Sequence, residues 1–158
     1  MKDHIRYKTQ WKIRKYENDA AFQNGEHYDE SVIDGNVLLN EGIAELLLLL
    51  TGGAATAFNQ TNAYLGVGTD ATAESATDTG LGANPVYVQC EAGYPQIAGQ
   101  TVTWRAVFGS AVANQAWNEF TVANANSDAG DNLNRKTSAQ GTKTAGQTWT
   151  LDLSITFS

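Results

Sequence analysis

One cysteine, two histidines and two prolines in 158 residues exclude several kinds of protein at once. With Cys90 alone, neither a disulfide framework nor a thiolate zinc site can form within one chain. His4 and His27 stand apart from each other and from any paired carboxylate at ligand spacing. We therefore expect no metal and no cofactor. Charged residues make up only 17% of the chain, well below the usual quarter, and Thr, Asn, Gln, Ser, Ala and Gly fill the gap. Such a surface is poor for long solvated helices and suits short strands between many turns. Long apolar runs are also missing. Leu46 to Leu50 is far shorter than the ~20 residues a bilayer requires, so we expect no membrane span. The basic, polar N-terminus carries no signal-peptide pattern and points to synthesis in a cytosol, which makes the sequon Asn59-Gln60-Thr61 a chance match.

The charge that is present is unevenly placed. The net charge is −7, yet the first fifteen residues carry +5 and the remainder −12. Lys2, Arg6, Lys8, Lys12, Arg14 and Lys15 supply the positive end. Two readings stay open for residues 1–16: a basic arm that contacts an acidic partner, or the wet face of a first strand. From Tyr7 to Arg14 the pattern alternates, with Tyr7, Trp11 and Ile13 on one face and Lys8, Gln10, Lys12 and Arg14 on the other. Aromatics and charges therefore point opposite ways and cannot grip one strand of nucleic acid. The overall negative charge also opposes phosphate.

Residues 17–30 read as a polar loop with a turn at Asn24-Gly25, and residues 31–39 as a strand interrupted at Asp34-Gly35. Asn40 is placed as an N-cap for a helix over residues 41–51, with Glu41 and Glu45 in its first turns and Gly52-Gly53 ending it. Ile43, Leu46, Leu47 and Leu50 follow the i, i+3, i+4, i+7 spacing. That stripe belongs either in the core, the favoured reading, or in a subunit contact. Strands follow at residues 63–69, 85–91, 100–109, 116–124 and 132–138. The last segment is the clearest: Trp149, Leu151, Leu153, Ile155 and Phe157 alternate with polar residues without an error. The expected fold is mainly β: a single β-sandwich or jelly-roll-like domain of about eight strands over residues 17–158, with one short Leu-rich helix and the N-terminal arm or strand.

No catalytic constellation emerges. A Ser-His-Asp triad lacks a well-placed histidine, and Gly66-x-Gly68 follows a strand but opens no helix. Its glycines instead allow close strand packing. Asp70/Glu74 and Asp128/Asp131 lie in turn-like sequence, and the Asp128–Asp131 loop falls short of a calcium-binding pattern. Cys90 reads as a small buried hydrophobe.

Several segments are familiar together and in order. They are Tyr7-Lys8-Thr9-Gln10-Trp11-Lys12-Ile13-Arg14-Lys15-Tyr16, Asn36-Val37-Leu38-Leu39-Asn40-Glu41-Gly42, Tyr64-Leu65-Gly66-Val67-Gly68-Thr69 and Ala76-Thr77-Asp78-Thr79-Gly80-Leu81. Thr103-Trp104-Arg105-Ala106-Val107-Phe108-Gly109, Ala116-Trp117-Asn118-Glu119-Phe120, Leu133-Asn134-Arg135-Lys136 and Gly141-Thr142-Lys143-Thr144 follow. Over nearly the whole chain this order resembles tailed-bacteriophage virion proteins, among them capsid decoration (cement) proteins. The resemblance implies a non-enzymatic structural protein made in the bacterial host cytoplasm. Such a protein binds the major capsid protein lattice on the outside of the head, often as a homotrimer. Similar strings occur in tail-fibre modules, which implies a receptor- or sugar-binding alternative; Trp117 and Tyr94 are then the candidate loop-tip aromatics.

Overall fold

The computed structural model describes residues 5–158, so Lys2 and His4 lie outside the described residues. Ten strands form two five-stranded antiparallel sheets that face each other as a β-sandwich, with two helices. The first sheet has the order β2(Asp29–Asp34), β1(Tyr7–Tyr16), β10(Thr148–Phe157), β7(Thr101–Phe108), β6(Gln96–Ala98). In the second the order is β3(Val37–Leu38), β9(Asn134–Thr137), β8(Glu119–Ala123), β4(Tyr64–Gly68), β5(Val86–Gln89). The mainly β class read from composition and alternation is the observed one.

The two cleanest alternating segments lie side by side. β1 and β10 pair over their full length, from Tyr7 opposite Phe157 to Tyr16 opposite Thr148. β10 then pairs with β7, placing Leu151 opposite Ala106 and Leu153 opposite Trp104. Period-two patterning sends Trp11, Ile13, Trp104, Ala106, Phe108, Leu151 and Leu153 to one face. There they meet Leu65, Val67, Phe120 and Val122 of the second sheet in one buried core. Trp117, just ahead of β8, lies between the sheets with its ring 4.8 Å from that of Phe108 and 5.0 Å from that of Trp149, both edge-on.

Five details differ from the sequence reading, each for a local reason. Residues 17–30 contain a short helix, α1(Asp19–Asn24). Asn18 caps it by accepting from the Ala21 N–H at 2.9 Å, and Gly25 ends it at φ 72°. The interrupted strand is two strands in different sheets, because the turn at Gly35 (φ 82°) carries the chain across the sandwich from β2 to β3. β6, three residues with exposed side chains, gave no alternation to read. Asn40 is the first helical residue rather than the cap. Leu39 holds the cap position of α2(Asn40–Thr51) without a side-chain bond.

The fifth difference concerns the stripe on α2. Its buried residues are Gly42 and Glu45, not leucines. Gly42 lies so close to the segment leading into β9 that a Cβ there would come within 2.5 Å of the Leu133 Cα and 2.7 Å of the Asn132 carbonyl. Glu45 turns inward because its carboxylate accepts from the Thr56 N–H and from Asn124 Nδ2. These contacts fix the rotation of the helix. Ile43, Leu47 and Leu50 are therefore exposed, Leu50 by 83%, and only Leu46 of the stripe packs against the core. The core placement of that stripe is overturned.

Candidate interaction surfaces

The basic segment is the second strand of a five-stranded sheet, hydrogen-bonded on both sides, and not a free arm over residues 7–16. Removing it would delete an interior strand. Lys8, Lys12 and Arg14 project from the outer face, as the alternation requires. Arg14 Nε pairs with Glu30 Oε2 at 2.6 Å. Lys15 falls on the inward phase instead. Its ammonium reaches Asp29 at 2.7 Å, donates to the Gln140 carbonyl and lies 4.8 Å from the centre of the Trp149 ring. Arg6, Lys8 and Lys12 take part in no ion pair among the described residues, so three of the six candidate basic residues keep free charge there. Beside them, Arg105 Nε donates to Asp152 Oδ1 at 2.7 Å, and hydroxyl pairs Thr101–Thr156 and Thr103–Ser154 continue a flat polar face. The Asp152 carboxylate holds the Arg105 pKa above its ordinary value.

Charge is concentrated elsewhere, in a network the sequence reading did not foresee. Glu119 on β8 is fully buried. One of its oxygens accepts from the Asp70 and Ala83 N–H groups at 3.1 Å, and the other from the Gly82 N–H at 2.8 Å and Arg135 Nε at 2.9 Å. Arg135 on β9 reaches onward to Asp78 at 2.8 Å and Asp70 at 3.0 Å. Burial works to lower the Arg135 pKa, yet the bonds to Asp78 and Glu119 raise it above the ordinary value. The network straps the long loop between β4 and β5 onto the outside of the second sheet. Gly68 serves it, since a Cβ there would collide with the Glu119 carboxylate. A polar hollow of about 500 Å³ lined by Asp70, Asp78, Asp128 and Arg135 remains open above it. Among the described residues no group of His, Cys, Asp and Glu is arranged to hold a metal ion.

Asp128, in the turn read as solvated, is also a brace. It accepts from the Leu81 N–H at 3.0 Å and from the Tyr87 hydroxyl. Burial, and next the Asp128 bond, push the Tyr87 phenol well above its ordinary value of 10.0. A phenol whose folded pKa is raised keeps its proton while the unfolded chain loses it. The stabilisation is complete below about pH 10 and is lost as pH climbs past that value. In an alkaline titration the last tyrosine absorbance at 295 nm should rise only as the near-ultraviolet circular dichroism collapses. Full ionisation with native dichroism intact would exclude this account.

Of the two aromatic candidates for sugar stacking, Trp117 is placed against that use and Tyr94 is half-buried. Trp117 is 0% exposed and donates its indole N–H to the Ala113 carbonyl at 3.0 Å. Tyr94 packs against the core with the Arg105 guanidinium 4.9 Å from its ring centre. Cys90 is buried, and burial raises its thiol pKa, in keeping with a small core residue. Lys143 is fully buried without an acidic partner among the described residues. It donates to the Gly109 carbonyl at 2.8 Å and Asn114 Oδ1 at 2.7 Å, and burial lowers its pKa.

One hollow is apolar. About 260 Å³ in volume, it opens where the two sheets part beside α2. Leu38, Phe58, Trp104, Leu133 and Ile155 form its inner wall, and Tyr7, Leu46, Leu49, Ile97 and Phe157 its rim. Ile97 is 79% exposed. No described helix is long and apolar enough to cross a membrane. Comparison of the chain with protein-family models, with curated proteins and with solved structures gives no match.

Proposed function

We propose that the chain is a non-enzymatic structural protein of a tailed-phage particle, a capsid decoration protein that binds the outside of the head and adds stability through contacts. The observation that carries this reading is the exposed leucine face of α2 beside an apolar hollow. It is a surface suited to protein contact, on a sandwich whose buried charged groups are already engaged in structural bonds. The ordered run of segments that resembles decoration proteins supports the same role. In this reading the partners are the major capsid protein lattice and further copies of the chain as a homotrimer; nucleic acid and membrane are not partners. The free charges of Lys8 and Lys12 on the outer face of the first sheet are then the groups that meet an acidic shell. Such contacts would strengthen attachment mainly at low salt.

Immunogold electron microscopy of purified virions, with antibody raised against this chain, tests the assignment. Gold spread evenly over the head is the expected result. Gold confined to the tail would overturn the head placement in favour of an adsorption module. Absence of gold would overturn the virion assignment altogether. The sugar-binding alternative loses one of its two candidate aromatics with the burial of Trp117.

A further inference from the structure

On α2, Ile43, Leu46, Leu47 and Leu50 lie within an arc of about 100°, as their spacing dictates. A stripe of that width normally faces the core of its own chain. Here its centre is turned roughly 120° away from Gly42 and Glu45, the residues that touch the sandwich. The rotation cannot relax, because Gly42 abuts the backbone of Asn132 and Leu133 just before β9 and Glu45 is held by Thr56 and Asn124. The stripe is continuous through Leu46 and Leu49 with the apolar hollow, whose rim adds Tyr7, Ile97 and Phe157. We propose that this surface is where copies of the chain associate with one another, α2 of one copy packing against the α2 and hollow of the next.

Three observations favour a second copy over another occupant. The first is charge. The chain carries −7 overall, so two copies repel across most of their surfaces. Between Leu46 and Thr69 the sequence holds no charged residue, and none lines the hollow, so at this patch like-charged chains can meet without opposing charges. The second is shape. A self-complementary contact needs a projection and a recess on one surface. Leu50 and Ile97 project with most of their area free, and the adjoining hollow of about 260 Å³ has room for such a side chain. The third is area. Ile43, Leu47, Leu49, Leu50, Tyr7, Ile97 and Phe157 are all more than a third exposed. At roughly 100 Å² each they approach the ~800 Å² that a standard interface takes from each partner.

The proposal does not depend on where the protein sits on a particle, and its test needs no particle. Light scattering coupled to size-exclusion chromatography should give the wild type a mass that is a multiple of 17.0 kDa. The double variant Leu47→Asp/Leu50→Asp should run as a monomer with an unchanged circular dichroism spectrum, since both side chains point to solvent. Should that variant misfold, Leu50→Cys provides a second readout. A short thiol cross-linker should join its copies through the introduced thiol, whereas the buried Cys90 of the wild type should give no product. A monomeric wild type at every concentration overturns the proposal, and co-sedimentation of that monomer with phosphatidylcholine vesicles would assign the stripe to a lipid surface. An oligomer that survives both aspartates overturns it as well, by placing the interface elsewhere.

Discussion

Arg135→Met should destabilise the protein by about 3–5 kcal/mol, the usual result of removing one partner from a buried ion pair. The expectation rests on Glu119, which has no exposed surface and no other cationic partner among the described residues. Methionine fills much of the vacated volume, so the loss reports charge and hydrogen bonding more than packing. Without the guanidinium, the carboxylate keeps only the three N–H groups of Asp70, Gly82 and Ala83. Asp70 and Asp78 lose their bonds to the guanidinium as well, and the strap over the second sheet loosens. Urea denaturation should show a lower midpoint with an unchanged slope. Glu119→Leu should be comparably harmful by leaving Arg135 uncompensated. The double variant should cost far less than the sum of the two, because each single change creates the unpaired charge that the other removes. A single-variant loss below about 1 kcal/mol, the range of solvent-exposed pairs, would show that water reaches this one.

Much of the sandwich was legible because alternation was clean where strands are long and half-buried. In β1 and β7 one face meets the other sheet and the other is partly exposed, so the two-residue period survives in the sequence. β10 keeps the period although Thr148, Thr150 and Asp152 on its other face are buried as well. β8 is different. All five of its residues are buried, because the strap covers its outer side with Glu119 and Thr121 beneath. β6 and β3, at three and two residues, are too short to carry a period.

The interaction surface was half legible. The stripe of Ile43, Leu46, Leu47 and Leu50 is in the sequence, but its direction is set by contacts over long separations, Gly42 with Leu133 and Glu45 with Asn124. A glycine and an acid at positions 42 and 45 were the available signal, since both interrupt the inward face that a leucine helix would otherwise bury. Lys15 was read with the outer charges, though its position two residues after Ile13 already put it in the inward phase. Trp117 was misread for a similar reason. It precedes the strand proper, where no alternation assigns a side, and its burial depends on Phe108 and Trp149 from the opposite sheet.

That placement makes Trp117→Ala the most damaging single truncation expected in the core, at about 3–5 kcal/mol. The indole contacts both sheets: Phe120 belongs to the second, while Phe108 and Trp149 belong to the first. Its removal leaves a cavity that two hydrogen-bonded sheets cannot close by collapse, so the transfer and cavity penalties both apply. The Ala113 carbonyl also loses the indole N–H, at a residue already held at φ 52°. Trp117→Phe separates these contributions. It keeps much of the ring volume and the edge-on contacts but abolishes the hydrogen bond, and should cost less than half as much. If the protein instead used Trp117 at a loop tip to stack on sugar, alanine there would leave the denaturation midpoint unmoved. A loss of several kcal/mol with Trp117→Ala, largely recovered by Trp117→Phe, would identify the residue as the packing link between the two sheets.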